Sequence, residues 1–374
     1  MPATLAMWGA LSALAGYSLP NNSTLATLKA SVLSGMDPTS ALMRPALRQA
    51  TCGALPPPEQ LEVQLYIDRF HDISQREQTY GMEGYLRRWW RDPELAYNGS
   101  CGAKRLSLTR AESAKIWRPQ LYWEQSIRTT HPHEREHVEQ GAGELLEIYP
   151  DGTVFWSQQV SLELSCQLDL KNVPFDVQSC NFMMGLYSDT AEDVMLSWKA
   201  DRSALDGWDS RRVRCLNEFV VIGVEQQNLR RTYEHEYTYA LATITFARQP
   251  HWLITNYLMP AVVLVAVSYL SFFIDPAQMN ARVALGVLAL VVVSNNYISL
   301  GQQLPNGSQT WLASFLLASF GFNVAAFVIT VIVTFAIQIQ RWLDVESQHI
   351  QANRTWLQVD PPDPDQRSHR SLRP

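Results

Sequence analysis

The sequence predicts a two-part membrane protein, an all-β sandwich followed by an α-helical transmembrane bundle. Three observations predict it. Charge is divided sharply: from 249 to 340 the only Asp, Glu, Lys or Arg residues are Asp275 and Arg282, whereas the residues before them are rich in charge and tryptophan. Short alternating segments separated by turn residues fill the first part, the pattern of a sandwich. Three successive stretches, 252–274, 283–304 and 311–339, are long and nearly uncharged, and about 20 apolar residues cross a bilayer.

Composition excludes some functions. The net charge of −6 and the lack of a basic stripe leave nothing to neutralise phosphates, so nucleic acid is not an expected partner. No phosphate-cradling glycine loop or nucleophile elbow occurs, so neither an enzyme nor a cofactor is expected. His131, His133 and His137 lie in one charged loop, read as solvated because no second ligand cluster completes a metal site.

Taken in order, the chain starts with an apolar stretch, 5–14, and a small-residue site at Ala13-Leu14-Ala15 that form a candidate secretory signal lacking a positive start. Asn21, Asn22 and Asn98 head glycosylation triplets. Residues 16–57 read as irregular and end in a stiff Pro-rich linker, so 1–58 is set apart. The sandwich then covers 59–250. Leu61, Val63, Leu65 and Ile67 alternate with polar neighbours, a strand with one buried face. Further strands are expected at 80–90, 106–109, 145–149, 153–164, 194–198, 219–225 and 237–246, with Pro150-Asp151-Gly152 as a hairpin turn. The transmembrane part covers 251–340, with Pro260 tolerated because neighbours satisfy the freed carbonyl. A polar tail, 341–374, contains no further span, and its arginines favour the cytoplasm.

Five cysteines occur. Cys166 and Cys180 are close enough in sequence to bond in an oxidising compartment, though two buried free thiols on neighbouring strands fit the spacing equally well. Cys52, Cys101 and Cys215 follow no pairing pattern; Cys101 to Cys215 is one option.

The interior of Cys166-Gln-Leu-Asp-Leu-Lys-Asn-Val-Pro-Phe-Asp-Val-Gln-Ser-Cys180 resembles the signature loop of the pentameric ligand-gated ion channels, the Cys-loop receptors, departing from it at Val173 where an aromatic is usual. Arg88-Trp-Trp-Arg-Asp-Pro-Glu-Leu95 is similar to the family's second-strand motif. Trp117-Arg-Pro-Gln-Leu121 is similar to its Trp-x-Pro-Asp motif, with Gln120 in place of the acid. Pro260, Arg282 and Pro305 also fall at family positions, and the pattern is closest to the GABA and glycine receptor members. The resemblance implies an immunoglobulin-like sandwich outside the cell, a multi-pass membrane domain, a Cys166–Cys180 disulfide and a coupling pair of Asp176 with Arg248. It also implies a fourth membrane helix, which this sequence does not display.

It further implies function. Tyr122, Tyr187, Tyr233 and Tyr237 fall at the aromatic positions of one face of an inter-subunit ligand site, and Tyr85 and Arg87 on the facing subunit. Aromatics attract an ammonium and an arginine takes a carboxylate, so an amino-acid-like or amine-like agonist is expected. Gly185 stands where some amino-acid-gated members have an acid. Two stripes of the second membrane helix compete for the pore: Ala284, Leu288, Val291, Asn295, Ile298 and Gln302, or Val283, Val287, Leu290, Ser294, Tyr297 and Gly301. Family alignment of Arg282 selects the first. A ring of Arg282 preceded by Ala281, with no acid ring, points to anions, although Asn280-Ala281 differs from the usual Pro-Ala. The expected function is a subunit of a homo- or hetero-pentameric channel in the cell membrane that passes inorganic ions; the rival is a membrane-anchored binding or assembly subunit that does not conduct.

Overall fold

The structure, a computed structural model, describes residues 22–36, 39–49, 56–99, 103–130, 144–200, 205–275, 278–305, 307 and 309–357. The expected signal 5–14, Asn21, Cys52, Cys101 and the three histidines lie outside the described residues. The chain divides into two compact units, Met1–Trp252 with Gln303–Thr310, and Leu253–Gln302 with Trp311–Pro374.

The first unit is a sandwich of two sheets. Its strands are β1 (Glu59–Ser74), β2 (Thr79–Arg91), β3 (Leu106–Leu108), β4 (Leu121–Trp123), β5 (Ser126–Thr130), β6 (Glu144–Ile148), β7 (Thr153–Ser165), β8 (Val177–Leu186), β9 (Val194–Trp198), β10 (Leu205–Asp206), β11 (Phe219–Thr232) and β12 (Glu236–Arg248). The larger sheet runs β10-β1-β2-β7-β6-β3, with β9 also paired to β1 and β5 to β7; the smaller runs β11-β12-β8-β4. The alternation in β1 is realised: Leu61, Val63, Leu65 and Ile67 are fully buried. Between the sheets Phe246 meets Phe70, Tyr80 and Phe219, with ring centroids 5.4, 5.8 and 6.4 Å away.

Every expected strand is present, and β4, β5, β8 and β10 are additional. The hairpin between β6 and β7 turns as its sequence demands. Gly152 has φ +82, and a Cβ there would sit 2.5 Å from the Asp92 carbonyl oxygen. The Asp151 carboxylate accepts from the Thr153 amide at 3.1 Å.

Residues 16–57 are not irregular throughout. Helix α1 (Asn22–Leu33) and a turn of helix at Pro45–Arg48 occur there. Arg48 pairs with the fully buried Asp92 of the second-strand motif, and Arg44 with Asp193. These long-range ion pairs hold a segment whose own apolar periodicity is weak.

The second unit contains α2 (His251–Phe273), α3 (Met279–Gln303) and α4 (Trp311–Leu357). These are the three helices among the described residues long and apolar enough to span a membrane. Pro260 is accommodated by a π-helical turn, Ile254–Leu258, where the Met259 amide donates to the Ile254 carbonyl, since a proline supplies no N–H of its own to the helix ladder. Ser268 of α2 donates to Asn323 of α4, whose amide donates to the Ser319 carbonyl at 2.8 Å, so the buried asparagine is satisfied inside the bundle. Gly286 lets α3 approach α4: a Cβ there would lie 2.7 Å from the Phe327 ring. Helix α4 continues through Leu357, so the beginning of the polar tail is helical.

Candidate functional site

The loop between β7 and β8 is closed by a Cys166–Cys180 disulfide with an S–S distance of 2.04 Å. Because β7 belongs to the larger sheet and β8 to the smaller, the bond ties the two layers together. Inside the loop Asp176 is buried while its neighbours Phe175 and Val177 are exposed. Arg248, the last residue of β12, meets it in a paired contact, Nε to Oδ1 at 2.5 Å and Nη2 to Oδ2 at 3.0 Å. Gln178 donates to the same carboxylate at 2.5 Å, and the guanidinium lies 4.5 Å from the Phe219 ring centroid. The pair thus fastens the disulfide loop to the strand that precedes the first membrane helix. Cys215 is a free, exposed thiol; Cys101, its suggested bridge partner, lies outside the described residues.

The four tyrosines expected on one ligand face gather at one end of the smaller sheet. Tyr122 and Tyr187 meet edge to face at 5.8 Å, and Tyr233 and Tyr237 at 6.3 Å. Tyr187 and Tyr233 are largely exposed, at 85% and 65%, so their rings are open to solvent. The Tyr122 hydroxyl is pushed well above the ordinary tyrosine range, first by burial and then by its hydrogen bond to Tyr239 and the nearby Glu124 and Tyr233. Tyr122 therefore acts as a neutral hydroxyl at any physiological pH.

Sequence reasoning missed three members of this cluster. Tyr239 is buried beneath Tyr122, Arg231 stacks 5.5 Å from the Tyr239 ring centroid, and Glu124 pairs with Arg231 at 3.3 Å. Tyr239 sits two residues after Tyr237 on the same strand, so strand period was the available signal; nothing local marked Arg231 or Glu124. Gly185 is required by this packing. A Cβ on it would fall 2.7 Å from Tyr239 and 3.1 Å from Tyr122, so no acidic side chain fits there; the acid of the cluster is Glu124.

Tyr85 and Arg87 lie on β2 of the larger sheet. Arg87 donates to Gln64 at 3.2 Å and sits 5.2 Å from the Tyr66 ring centroid, while Tyr66 and Tyr85 are 6.4 Å apart. Together with Glu144, Leu145 and Ser157 they border an open groove of about 330 Å³. No carboxylate lies within ion-pair distance of Arg87 among the described residues. The two groups of residues expected to bind ligand thus stand on different sheets of the sandwich.

Along α3 the six residues Ala284, Leu288, Val291, Asn295, Ile298 and Gln302 are all exposed, as is Ala281. Gly286, Ala289, Val293 and Leu300 form the buried side, and the competing stripe is mixed, with Val283, Leu290 and Ser294 half-buried. Arg282 departs from the expectation of an exposed ring. It is 4% exposed, and its Nε donates to the Ser271 carbonyl at the end of α2 at 3.2 Å. One position along a helix is about 100° around it, which carries Arg282 away from the stripe that includes Ala281.

Comparison with known proteins agrees with this architecture. Residues 43–250 match the neurotransmitter-gated ion-channel ligand binding domain, and residues 257–370 match the neurotransmitter-gated ion-channel transmembrane region. The chain is 27% identical over 250 residues to the gamma-aminobutyric acid receptor subunit rho-2 of Rattus norvegicus, covering 66% of this chain and 51% of that protein. It is 25% identical over 254 residues to the rho-3 subunit of Homo sapiens (67% and 52%), and 27% over 280 residues to the glycine receptor subunit beta of Rattus norvegicus (71% and 53%). The chain spans about half the length of the curated relatives it matches. With a sandwich and a helical membrane unit matched in order, and with the signature disulfide formed, the chain belongs to the neurotransmitter-gated ion-channel family, the Cys-loop receptors, which are not enzymes but ligand-gated channels of the cell membrane with the sandwich outside.

Proposed function

We propose that this chain is one subunit of a pentameric, anion-selective channel opened by a small amino-acid-like or amine-like ligand bound between subunits. The observation that carries the reading is the division of the ligand residues into two incomplete half-sites. Tyr122, Tyr187, Tyr233 and Tyr237 offer ring faces to an ammonium, and Arg87, unpaired with any described carboxylate, offers a fork to an anionic group. A neighbouring copy or a homologous subunit brings one face to the other. Ligand that binds the open arrangement better shifts the equilibrium toward it.

In this reading the exposed stripe of α3 lines the pore. Leu288 and Val291 form apolar rings that exclude water and ions when closed. Anion preference comes from the absence of an acid at Ala281, with the Arg282 charge held behind the lining rather than in it.

Expression of the chain alone, followed by patch-clamp recording with GABA, glycine and related amines, tests the proposal. The expected result is an evoked current whose reversal potential follows the chloride gradient. Arg87→Ala should then raise the required agonist concentration at least about tenfold, since a charge-assisted hydrogen bond is worth roughly 1.5–3 kcal/mol. A surface-expressed receptor without current favours the non-conducting reading, and a reversal potential that follows sodium overturns the selectivity.

A further inference from the structure

Between the two sheets, behind the tyrosine cluster, lies a cavity of about 620 Å³. Arg88 and Trp156 are register partners across β2 and β7, as are Leu86 and Gln158. All four side chains therefore project from one face of the larger sheet into this cavity, whereas Tyr85 and Arg87, one residue out of phase, lie together on the opposite face. Tyr122 and Trp123 of β4 close the other wall.

Arg88 is the unusual member. It is 4% exposed, stacked 3.7 Å from the Trp156 ring centroid, and donates to the Pro119 carbonyl at 3.3 Å and to Gln158 Oε1 at 2.7 Å. Both acceptors are neutral, and its Nε is buried without a partner. Burial lowers its pKa to about 9 despite the opposing pull of Glu144. Glu144 does not answer it directly, because that carboxylate already accepts from Trp156 Nε1 at 2.9 Å and from Arg118 at 3.3 Å. Two guanidiniums and one carboxylate leave the cavity with one uncompensated positive charge. A buried charge is costly unless it is paired and hydrogen-bonded, and this cavity, lined by aromatic and aliphatic side chains together with Gln120, Ser126 and Thr129, presents a guanidinium whose hydrogen-bond acceptors are both neutral.

We infer that this inter-sheet cavity binds a small organic carboxylate, its charged end on Arg88 and its apolar body against Leu86, Tyr122 and Trp123. The site is separate from the half-site of Tyr85 and Arg87 and does not depend on the agonist reading. Because Tyr122 borders both the cavity and the tyrosine cluster, occupancy would restrain the ring that an agonist meets.

The test uses the purified full chain in lipid nanodiscs, titrated with phenylacetate and with its neutral counterpart phenylacetamide, and read by ligand-observed NMR. Phenylacetate should bind saturably, and the amide at least about tenfold more weakly, the worth of a charge-assisted bond. Arg88→Gln should weaken phenylacetate by a similar factor, both in the parent and in an Arg87→Ala background that removes the carboxylate fork of the agonist half-site. No binding, equal binding of the amide, full binding by Arg88→Gln, or a loss confined to Arg87→Ala overturns the inference. If Arg88→Gln does not fold, Thr129→Trp at the exposed rim of the cavity serves instead: it keeps the arginine and narrows the mouth, and unchanged affinity in that variant overturns the inference equally.

Discussion

Replacing Asp176 by leucine should be among the most damaging single changes in the sandwich. Its side chain and that of Arg248 are 2% and 1% exposed, so neither charge is rehydrated when the other is removed. The variant strands the Arg248 guanidinium beside Phe219, losing contacts of 2.5 and 3.0 Å, and also removes one of the two acceptors of the Gln178 amide, leaving the Asp169 carbonyl. Breaking a buried pair from one side costs about 3–5 kcal/mol. For a domain of this size each kcal/mol moves the midpoint by roughly 2–4 °C, so the melting temperature should fall by roughly 6–20 °C. Tryptophan-fluorescence melts of the full chain in nanodiscs at one fixed scan rate measure it. The double variant Asp176→Leu with Arg248→Met removes both charges and keeps packing on Phe219, so it should recover most of the loss, because apolar replacement of a whole buried pair is often neutral. A single-variant shift under about 2 °C, or a double variant as poor as the sum of the singles, would refute the reasoning.

Three further outcomes are expected. Cys166→Ser opens a loop with a sequence separation of 14 and should cost about 3 kcal/mol; maleimide labelling of the denatured, unreduced parent should modify Cys215 but neither Cys166 nor Cys180, and labelling of either would refute the bond. Val291→Ser should hydrate the apolar ring and raise resting leak or agonist sensitivity more than Val287→Ser does, and the reverse order of the two would place the pore on the other stripe. Gly185→Ala puts a methyl group 2.7 Å from the buried Tyr239 ring; overpacking costs about 1–3 kcal/mol, so a parental melting curve together with parental agonist sensitivity would show that the tyrosine cluster does not need the glycine.

Local pattern was enough wherever a feature depends on its own residues. The alternation of Leu61, Val63, Leu65 and Ile67 marks β1, the Pro150-Asp151-Gly152 turn marks the hairpin, and uncharged length marks α2, α3 and α4. These are properties of periodicity and backbone chemistry, and the sequence by itself determined them. The short strands β4 and β5 lack enough residues to show a period, and β8 ends in a run buried on both faces; all three are defined by partners distant in the chain. Tertiary structure alone decided which way charged and aromatic groups face: Arg282 behind the α3 stripe, Arg231 and Tyr239 within the tyrosine cluster, and Arg88 turned into the inter-sheet cavity while adjacent Arg87 faces outward. The physical reason is that a residue's face is set by its neighbours across the sheet or bundle, and those neighbours are brought together by folding from positions that are remote in sequence.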